Sequence, residues 1–247
     1  MSMPRKVRCA VEELVDHGGH VYTVTLLPAD PVPNFRPGQF LHLTVEPYDP
    51  AGFWPDSRVF SIASSPRDRS RLRICYAVKG RYTARMEQQL QMGREVWVKL
   101  PYGDFVVEGD TDVVLLAGGT GISAFTAFLE ALEPAHPTRV FLAYGARSPG
   151  LLLFTDMIFR QLERVPGFEA LFFAEAGDPR ADASFPAAGA PGCLPGRLAL
   201  DPIWSRVENA GDRTFYLSGP PLMLRALGDE LRSRGVPPER IRVDAWE

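Results

Sequence analysis

Cysteine is scarce in this chain. The 247 residues include three, Cys9, Cys75 and Cys193, which lie far apart and form no C-x-x-C pair. This spacing fits neither a four-thiolate iron–sulfur cluster nor a zinc site or a disulfide framework. The four histidines are scattered over expected loops and strands, which favours surface or structural roles over metal ligation. We therefore expect no metal site, and any redox chemistry would need an organic cofactor.

Long hydrophobic runs and an excess of one charge are also missing. No apolar stretch approaches the ~18 residues of a membrane span, and the N-terminal "MSMPRKVRCAVEEL" lacks the apolar core of a signal peptide. The formal net charge is −3, without a block of lysines or arginines, which argues against nucleic acid and anionic membranes as partners. The sequence predicts a soluble, cytoplasmic protein that inserts into no membrane.

Residues 1–107 have the pattern of strands and turns. Six short runs rich in β-branched and aromatic residues are separated by Gly and Pro, and a single helix is predicted over residues 83–93, with Gly93 as its C-cap. Strands at such regular spacing are typical of a small antiparallel β-barrel. The runs are KVRCAVEELV, HVYTVTLLPA, QFLHLTVEPY, RVFSIAS, RLRICYAV and EVWVKLPYG.

Residues 108–247 alternate between strand and helix patterns. Five apolar strands separated by crossovers predict a doubly wound, five-stranded parallel α/β sheet. Asp201 as N-cap with Pro202 at the first helical position should begin one short helix, and Gly235 should end the last long one. Residues 177–196, rich in Gly, Pro and Ala, are expected to form a mobile surface loop. The predicted domains are therefore 1–107 and 108–247.

Two turns of the second domain have the composition of ligand-binding turns. The first follows the first parallel strand, and small residues there would let backbone N–H groups approach a phosphate at a helix N-terminus. It lacks the Lys-Ser/Thr pair of a Walker A loop and the second glycine of a nucleophile elbow around Ser123. For both turns, a structural connector is the alternative. Their residues are Gly118, Gly119, Thr120, Gly121 and Ile122 in the first turn, and Ser218, Gly219 and Pro220 in the second.

The stretch RVFSIASSP, residues 58–66, combines a cation, an aromatic ring and hydroxyls within one strand. Period-2 alternation places Arg58, Phe60 and Ile62 on one face, and Val59 and Ser61 on the other. Taken alone, the pattern is equally typical of an edge strand with a solvated arginine and a serine-rich turn.

Together, R-x-F-S, G-G-T-G-I-S and S-G-P-P in this order resemble the ferredoxin–NADP reductase family of flavoproteins, over nearly the whole chain. RPGQF (36–40) and PYGDF (101–105) are similar to the family's barrel signatures. The resemblance implies that Arg58 pairs with the FAD diphosphate, Phe60 lies against the isoalloxazine ring and Ser61 hydrogen-bonds N5. The diphosphate contacts favour FAD over FMN. Further flavin-binding positions that the resemblance implies are Val59, Tyr76, Ala77, Val78, Gly80, Tyr82 and Thr83.

Three positions depart from the family pattern. Phe60 replaces the tyrosine of the first motif, and Ser218 replaces the cysteine of Cys-Gly-Pro, so that the resemblance implies a hydroxyl rather than a thiol beside the nicotinamide. Trp246, one residue from the end of the sequence, is a candidate to shield the flavin, with packing of the last strand as the alternative.

The resemblance implies a reductase that moves hydride from NAD(P)H to FAD and passes electrons to a separate acceptor. That acceptor could be a ferredoxin, a flavodoxin, an oxygenase or a membrane partner. Alternatives are a ferric-chelate or free-flavin reductase and a non-catalytic nucleotide-sensing or docking subunit; a hydrolase using Ser123 or Ser218 ranks below these. Arg147 and Ser148 could hold the 2′-phosphate of NADPH, whereas Glu175 would repel it, and the balance leans slightly towards NADH.

Overall fold

A computed structural model describes residues 3–177 and 192–244, and the chain divides into two units. One unit comprises Met1–Val106 with Thr126–Phe128, and the other comprises Val107–Phe125 with Leu129–Glu247. Among the described residues, none of the helices combines the length and the hydropathy that a membrane crossing requires.

The first unit contains a six-stranded antiparallel sheet that forms a nearly closed barrel, as the sequence predicts. The strand order is β4-β3-β6-β1-β2-β5. The two outer strands meet where the Ala63 amide donates to the Arg73 carbonyl (2.7 Å) and the Arg73 amide donates to Ser64 Oγ (3.1 Å). The strands are β1 (Arg5–Asp16), β2 (Val21–Pro28), β3 (Phe40–Thr44), β4 (Arg58–Ser61), β5 (Leu72–Ala77) and β6 (Glu95–Tyr102).

The barrel helix α1 spans Arg81–Gln89, so that it begins and ends earlier than predicted. The Thr83 hydroxyl does not cap the helix from outside; it lies in the first turn and accepts hydrogen bonds from the amides of Lys79 (2.9 Å) and Gly80 (3.1 Å). Gly93, predicted as C-cap, instead occupies the left-handed region (φ +81°) in the turn that leads to β6. The helix N-terminus therefore lies at Gly80.

The second unit contains a parallel sheet with helices, and it has six strands rather than five, in the order β10-β9-β8-β7-β11-β12. The additional strand is β10, which pairs with β9 through Cys193 and Phe172. It lies inside residues 177–196, predicted as a loop, because three residues flanked by Gly and Pro give no periodic signal. The strands are β7 (Val113–Gly118), β8 (Val140–Ala146), β9 (Phe168–Ala174), β10 (Cys193–Pro195), β11 (Thr214–Ser218) and β12 (Ile241–Val243).

The helices of the second unit follow the predicted order. Asp201 is the first helical residue of α4 rather than its N-cap, which is Leu200. After α5, Gly235 has φ +85°, its amide donates to Arg232 O (3.0 Å), and the Val236 amide donates to Leu231 O (3.1 Å). This is a Schellman ending, as Gly235 predicts. The helices are α2 (Ser123–Ala131), α3 (Thr155–Arg164), α4 (Asp201–Trp204) and α5 (Pro221–Ser233).

Candidate functional site

The first candidate site lies where Arg58 meets the N-terminus of α1. The Arg58 guanidinium stacks over the ring of Tyr82, in the first helical turn, with its central carbon 4.9 Å from the ring centroid. The first turn contains no acidic residue, and a side chain added at Gly80 would meet no atom within 4 Å. A helix N-terminus carries partial positive charge, so the guanidinium and the helix together favour an anion here. The fold thus brings Arg58, Gly80 and Thr83 to one end of α1.

Arg58 also has a protein partner in this structure. Its Nη1 lies 3.1 Å from Asp56 Oδ1, and the two side chains are 51% and 58% exposed. A pair this open to water is weak, because solvent screens the charges and both side chains lose conformational freedom. A phosphate group can therefore replace Asp56 at little cost. The arrangement fits a diphosphate such as that of FAD.

Tyr82 supports this site rather than presenting its hydroxyl to a ligand. The side chain is buried, and its hydroxyl donates to the Leu43 carbonyl (3.1 Å) and accepts a hydrogen bond from the Val45 amide (3.1 Å). Burial raises the pKa of this phenol. The face of the Tyr82 ring is turned towards the site, and the guanidinium groups of Arg58 and Arg85 both lie over it. Tyr82 consequently positions the arginine.

An aromatic series runs inward from β4. Phe60 is half-buried, and its ring centroid lies 6.2 Å from that of Tyr76, which stacks on Tyr22 at 5.2 Å. Tyr22 donates to Glu87 Oε1 of α1 (2.8 Å), and this bond raises the pKa of Tyr22 to about 12. The Tyr76 hydroxyl is buried without a hydrogen-bond partner within the part of the chain that the structure describes. Phe60 thus joins the barrel core along one side of its ring.

The other predicted flavin residues lie on the two outer strands of the barrel or just beyond them. Ser61 is half-buried and pairs with Phe40 of β3, and Val59 pairs with His42. Ala77 ends β5, and the Val78 amide donates to His20 O (2.9 Å). The structure therefore places Val59 and Ser61 together on the face of β4 opposite Phe60, as alternation predicts.

In the second unit, the two predicted turns pack against each other at the carboxyl edge of the sheet. A methyl group at Gly121 would lie 2.4 Å from the Ser218 carbonyl oxygen, and one at Gly219 would lie 3.0 Å from the Cα of Gly118. Gly119 differs, since its φ is +53° and an added carbon would meet nothing within 4 Å. Close packing explains why positions 118 and 121 require glycine. At Gly119, by contrast, the space beside the backbone is open.

The side chains of these turns have separate environments. Ile122 is fully buried, so only its backbone is available to a ligand. Ser123 Oγ donates to the Thr120 carbonyl (2.8 Å), which occupies the hydroxyl hydrogen in the turn. Pro220 precedes α5 as its N-cap.

Ser218 has a buried acidic partner that the sequence interpretation missed. Its hydroxyl donates to Asp244 Oδ2 (2.9 Å), and the Asp244 amide donates to the Leu217 carbonyl (2.9 Å). Both side chains are buried. Because the proton of Ser218 points to a carboxylate, its oxygen is left as an acceptor for a ligand donor. Asp244 directly follows β12 (Ile241–Val243) at the carboxyl edge of the sheet, and this position in the sequence could have identified it as a candidate.

A charged corner follows β8, β9 and β10. Arg147 and Ser148 come directly after β8, and the Ala176 amide donates to Arg147 O (2.9 Å). Glu175 forms an exposed ion pair with Arg197, at 3.2 Å. The sequence interpretation noted Glu175 but missed Arg197, since 22 residues separate them. Trp246 lies outside the described residues.

No family model matches the chain, but known proteins resemble it over nearly its whole length. It is 28% identical to the reductase component of propane 2-monooxygenase from Mycolicibacterium smegmatis, with 97% of this chain and 67% of that protein covered. It is 24% identical to a flavohemoprotein from Rhizobium meliloti, over 97% of this chain and 60% of that protein. The chain thus spans about two thirds or less of these relatives.

A solved structure shows the same fold. The Amycolatopsis cytochrome P450 reductase GcoB superposes with a TM-score of 0.81 at 24% identity, covering 98% of this chain and 70% of that one. At this level of identity the match supports the architecture, namely an antiparallel barrel followed by a parallel α/β sheet.

Proposed function

We propose that the chain is a ferredoxin–NADP reductase-like oxidoreductase that uses FAD and NAD(P)H, and that it carries electrons from NAD(P)H to a separate acceptor. The observation that carries the proposal is the Arg58 guanidinium over the first turn of α1. An arginine and a helix N-terminus without acidic residues are the two elements that a diphosphate-bearing cofactor requires.

We assign the binding tasks by unit. Residues 1–107 would hold FAD: Arg58 and the N-terminus of α1 bind the diphosphate, and Ser61 offers a hydroxyl to the reactive ring. Bound flavin would supply the chemistry that accepts hydride and releases electrons singly. Residues 108–247 would hold NAD(P)H, with its phosphates at Gly119 and its nicotinamide near Ser218. The hydrogen bond from Ser218 to Asp244 supports the latter role, because it fixes the hydroxyl as an acceptor for the carboxamide.

NADH is the proposed coenzyme. A carboxylate accepts hydrogen bonds from ribose hydroxyls and repels a 2′-phosphate, and Glu175 lies at the carboxyl edge of the sheet. Arg197 partly offsets this charge, since it pairs with Glu175. We expect Glu175→Gln to raise kcat/KM for NADPH relative to NADH, because it removes the repulsion and frees Arg197. A wild-type preference for NADPH would contradict the assignment.

The acceptor is proposed to be a protein of an oxygenase or ferredoxin type, in the cytoplasm. The relatives named above include a monooxygenase reductase component, and the three cysteines of this chain are free thiols, which suits a reducing compartment. Ferric chelates and free flavin are the small-molecule alternatives.

Purification and anaerobic reduction test the proposal. The protein should bind FAD, and NADH should bleach the flavin absorption band in a stopped-flow spectrometer. A panel of ferredoxin, flavodoxin, ferric citrate and free flavin then identifies the acceptor class. A protein that binds a nucleotide but neither holds FAD nor oxidises NAD(P)H would instead be a sensing or docking subunit.

A further inference from the structure

A second arginine lies beside the predicted diphosphate site. The Arg85 guanidinium lies over the same Tyr82 ring as that of Arg58, with its central carbon 5.5 Å from the ring centroid. Arg85 is in the second turn of α1, and the side chains of a helix tilt towards its N-terminus. The long side chain of Arg85 therefore reaches back to the first turn, and two cations are centred on one aromatic ring. The sequence interpretation missed this second cation.

Each of the two arginines has a carboxylate partner from the segment that joins β3 to β4. Asp56 pairs with Arg58 at 3.1 Å, and Glu46 pairs with Arg85. The side chains of Arg85 and Glu46 are 40% and 32% exposed. An ion pair this open to water contributes little to stability, because solvent screens its charges and both side chains lose conformational freedom. Holding α1 against the barrel is therefore a weak reason for the pair between Arg85 and Glu46.

The two acidic residues share one buried anchor. Thr44, the last residue of β3, is fully buried, and its hydroxyl donates to the Asp56 carbonyl (2.8 Å) and accepts a hydrogen bond from the Glu46 amide (3.1 Å). The backbone at both acidic residues is thus fixed, while their side chains are partly open to water. Two carboxylates on two arginines carry the same charge as a diphosphate, which has one negative charge on each phosphate. Glu46 and Asp56 therefore neutralise the two cations in the way that the two phosphates of a dinucleotide would.

We propose that Arg85 binds the adenosine-side phosphate of FAD and thereby selects FAD over FMN, a proposal that rests on the proposed function. Arg58 lies on the same strand as the residues assigned to the flavin ring, so the phosphate that FAD and FMN share falls to Arg58. FMN ends at that phosphate, whereas FAD adds a second one, which a second guanidinium can bind through paired N–H donors. Glu46 releases Arg85 to this phosphate at little cost, because the pair is partly exposed.

Binding of FAD and FMN to the full chain, stripped of flavin, tests the assignment. Titration followed by flavin fluorescence gives Kd for each cofactor. Arg85→Gln should raise Kd for FAD about tenfold or more, because a charge-assisted contact is lost, and should change Kd for FMN by less than about twofold. Arg85→Lys keeps the charge but not the paired donors, so its Kd for FAD should lie between those of the wild type and Arg85→Gln. Arg58→Ala, by contrast, should weaken the binding of both cofactors.

Two further variants separate phosphate binding from a structural role of the ion pair. Glu46→Gln breaks the same pair but leaves the cation, so Kd for FAD should stay the same or fall. If the pair were only structural, Glu46→Gln and Arg85→Gln would weaken FAD binding alike. Arg71→Gln removes another exposed arginine of the barrel together with its pair to Glu12 (2.8 Å), and it should leave both dissociation constants unchanged. Thermal unfolding of the apoproteins shows that each variant folds.

The outcomes distinguish this proposal from the function on which it rests. A wild type that binds neither flavin, or whose bound FAD is not reduced by NAD(P)H, refutes the proposed function itself. A wild type that NAD(P)H reduces but that binds FMN as tightly as FAD refutes the selection by Arg85. The assignment is also refuted if Arg85→Gln weakens the binding of FAD and FMN by the same factor, or if Glu46→Gln weakens FAD binding as much as Arg85→Gln does.

Discussion

Replacing Arg58 and replacing Asp56 should have opposite effects on the affinity for FAD, although the two side chains form one ion pair. Replacing Arg58 with Ala would remove the proposed charge-assisted contact to the diphosphate, and such a contact is worth about 1.5–3 kcal/mol. At about 1.4 kcal/mol per factor of ten, Kd for FAD should rise about 10- to 150-fold. Stability without cofactor should change little, because the side chains are 51% and 58% exposed and a pair of this kind contributes about 1 kcal/mol or less.

Asp56→Asn is the matched control. It removes the competing carboxylate and leaves the guanidinium over the Tyr82 ring, so FAD should bind at least as tightly as to the wild type. Quenching of flavin fluorescence on titration into apoprotein measures both constants, and thermal unfolding of the apoproteins confirms that both variants fold. The reasoning is refuted if Arg58→Ala binds FAD normally, or if the two variants weaken binding equally.

Further predictions concern Ser61, Gly121 and Glu87. The Ser61→Ala variant should keep its flavin and transfer hydride about 5- to 150-fold more slowly. This factor corresponds to the loss of a hydrogen bond of ~1–3 kcal/mol made in the transition state. An unchanged rate in stopped-flow reduction would show that Ser61 is only a strand residue. Gly121→Ala places a methyl group 2.4 Å from the Ser218 carbonyl oxygen and should reduce the free energy of unfolding, measured in urea, by about 1–3 kcal/mol. In the control Gly211→Ala the added methyl group meets no atom within 4 Å, and the free energy of unfolding should not fall. The hydrogen bond to His20, and to a lesser extent that to Tyr22, holds the pKa of Glu87 below its ordinary value. These bonds therefore stabilise the folded protein above about pH 4.3, the pKa of an unfolded glutamate, and this contribution is lost as the pH falls through the lower pKa of the folded state. The wild type should therefore unfold at a higher temperature than Glu87→Gln at neutral pH, and the difference should vanish in acid.

Local patterns were enough to predict both architectures, whereas the roles of the candidate site residues stay predictions. Alternation in residues 58–62 correctly separated Arg58 and Phe60 from Ser61, because side chains of a strand point to opposite faces whatever the strand pairs with. Gly235 predicted a helix ending correctly, since a left-handed residue closes a helix through bonds to its own last turn. The predicted end of α1 was wrong because Gly93 lies in the turn after the helix. The predicted start was wrong because Thr83 lies inside the first helical turn, where its hydroxyl accepts a hydrogen bond from the Gly80 amide.

Contacts between distant segments required the tertiary structure. The hydrogen bond from Ser218 to Asp244 joins residues 26 apart, and the pair Glu175–Arg197 spans 22 residues. Lys6 and Lys99 face each other only because β1 and β6 adopt one register, and a shift of one residue would have placed them on opposite faces. Glycine composition indicated a close approach at Gly121, but the partner, Ser218, follows from the order β7-β11 in the sheet. Hydrophobic periodicity specifies which face of an element is buried, whereas strand order and register arise from packing across the whole chain.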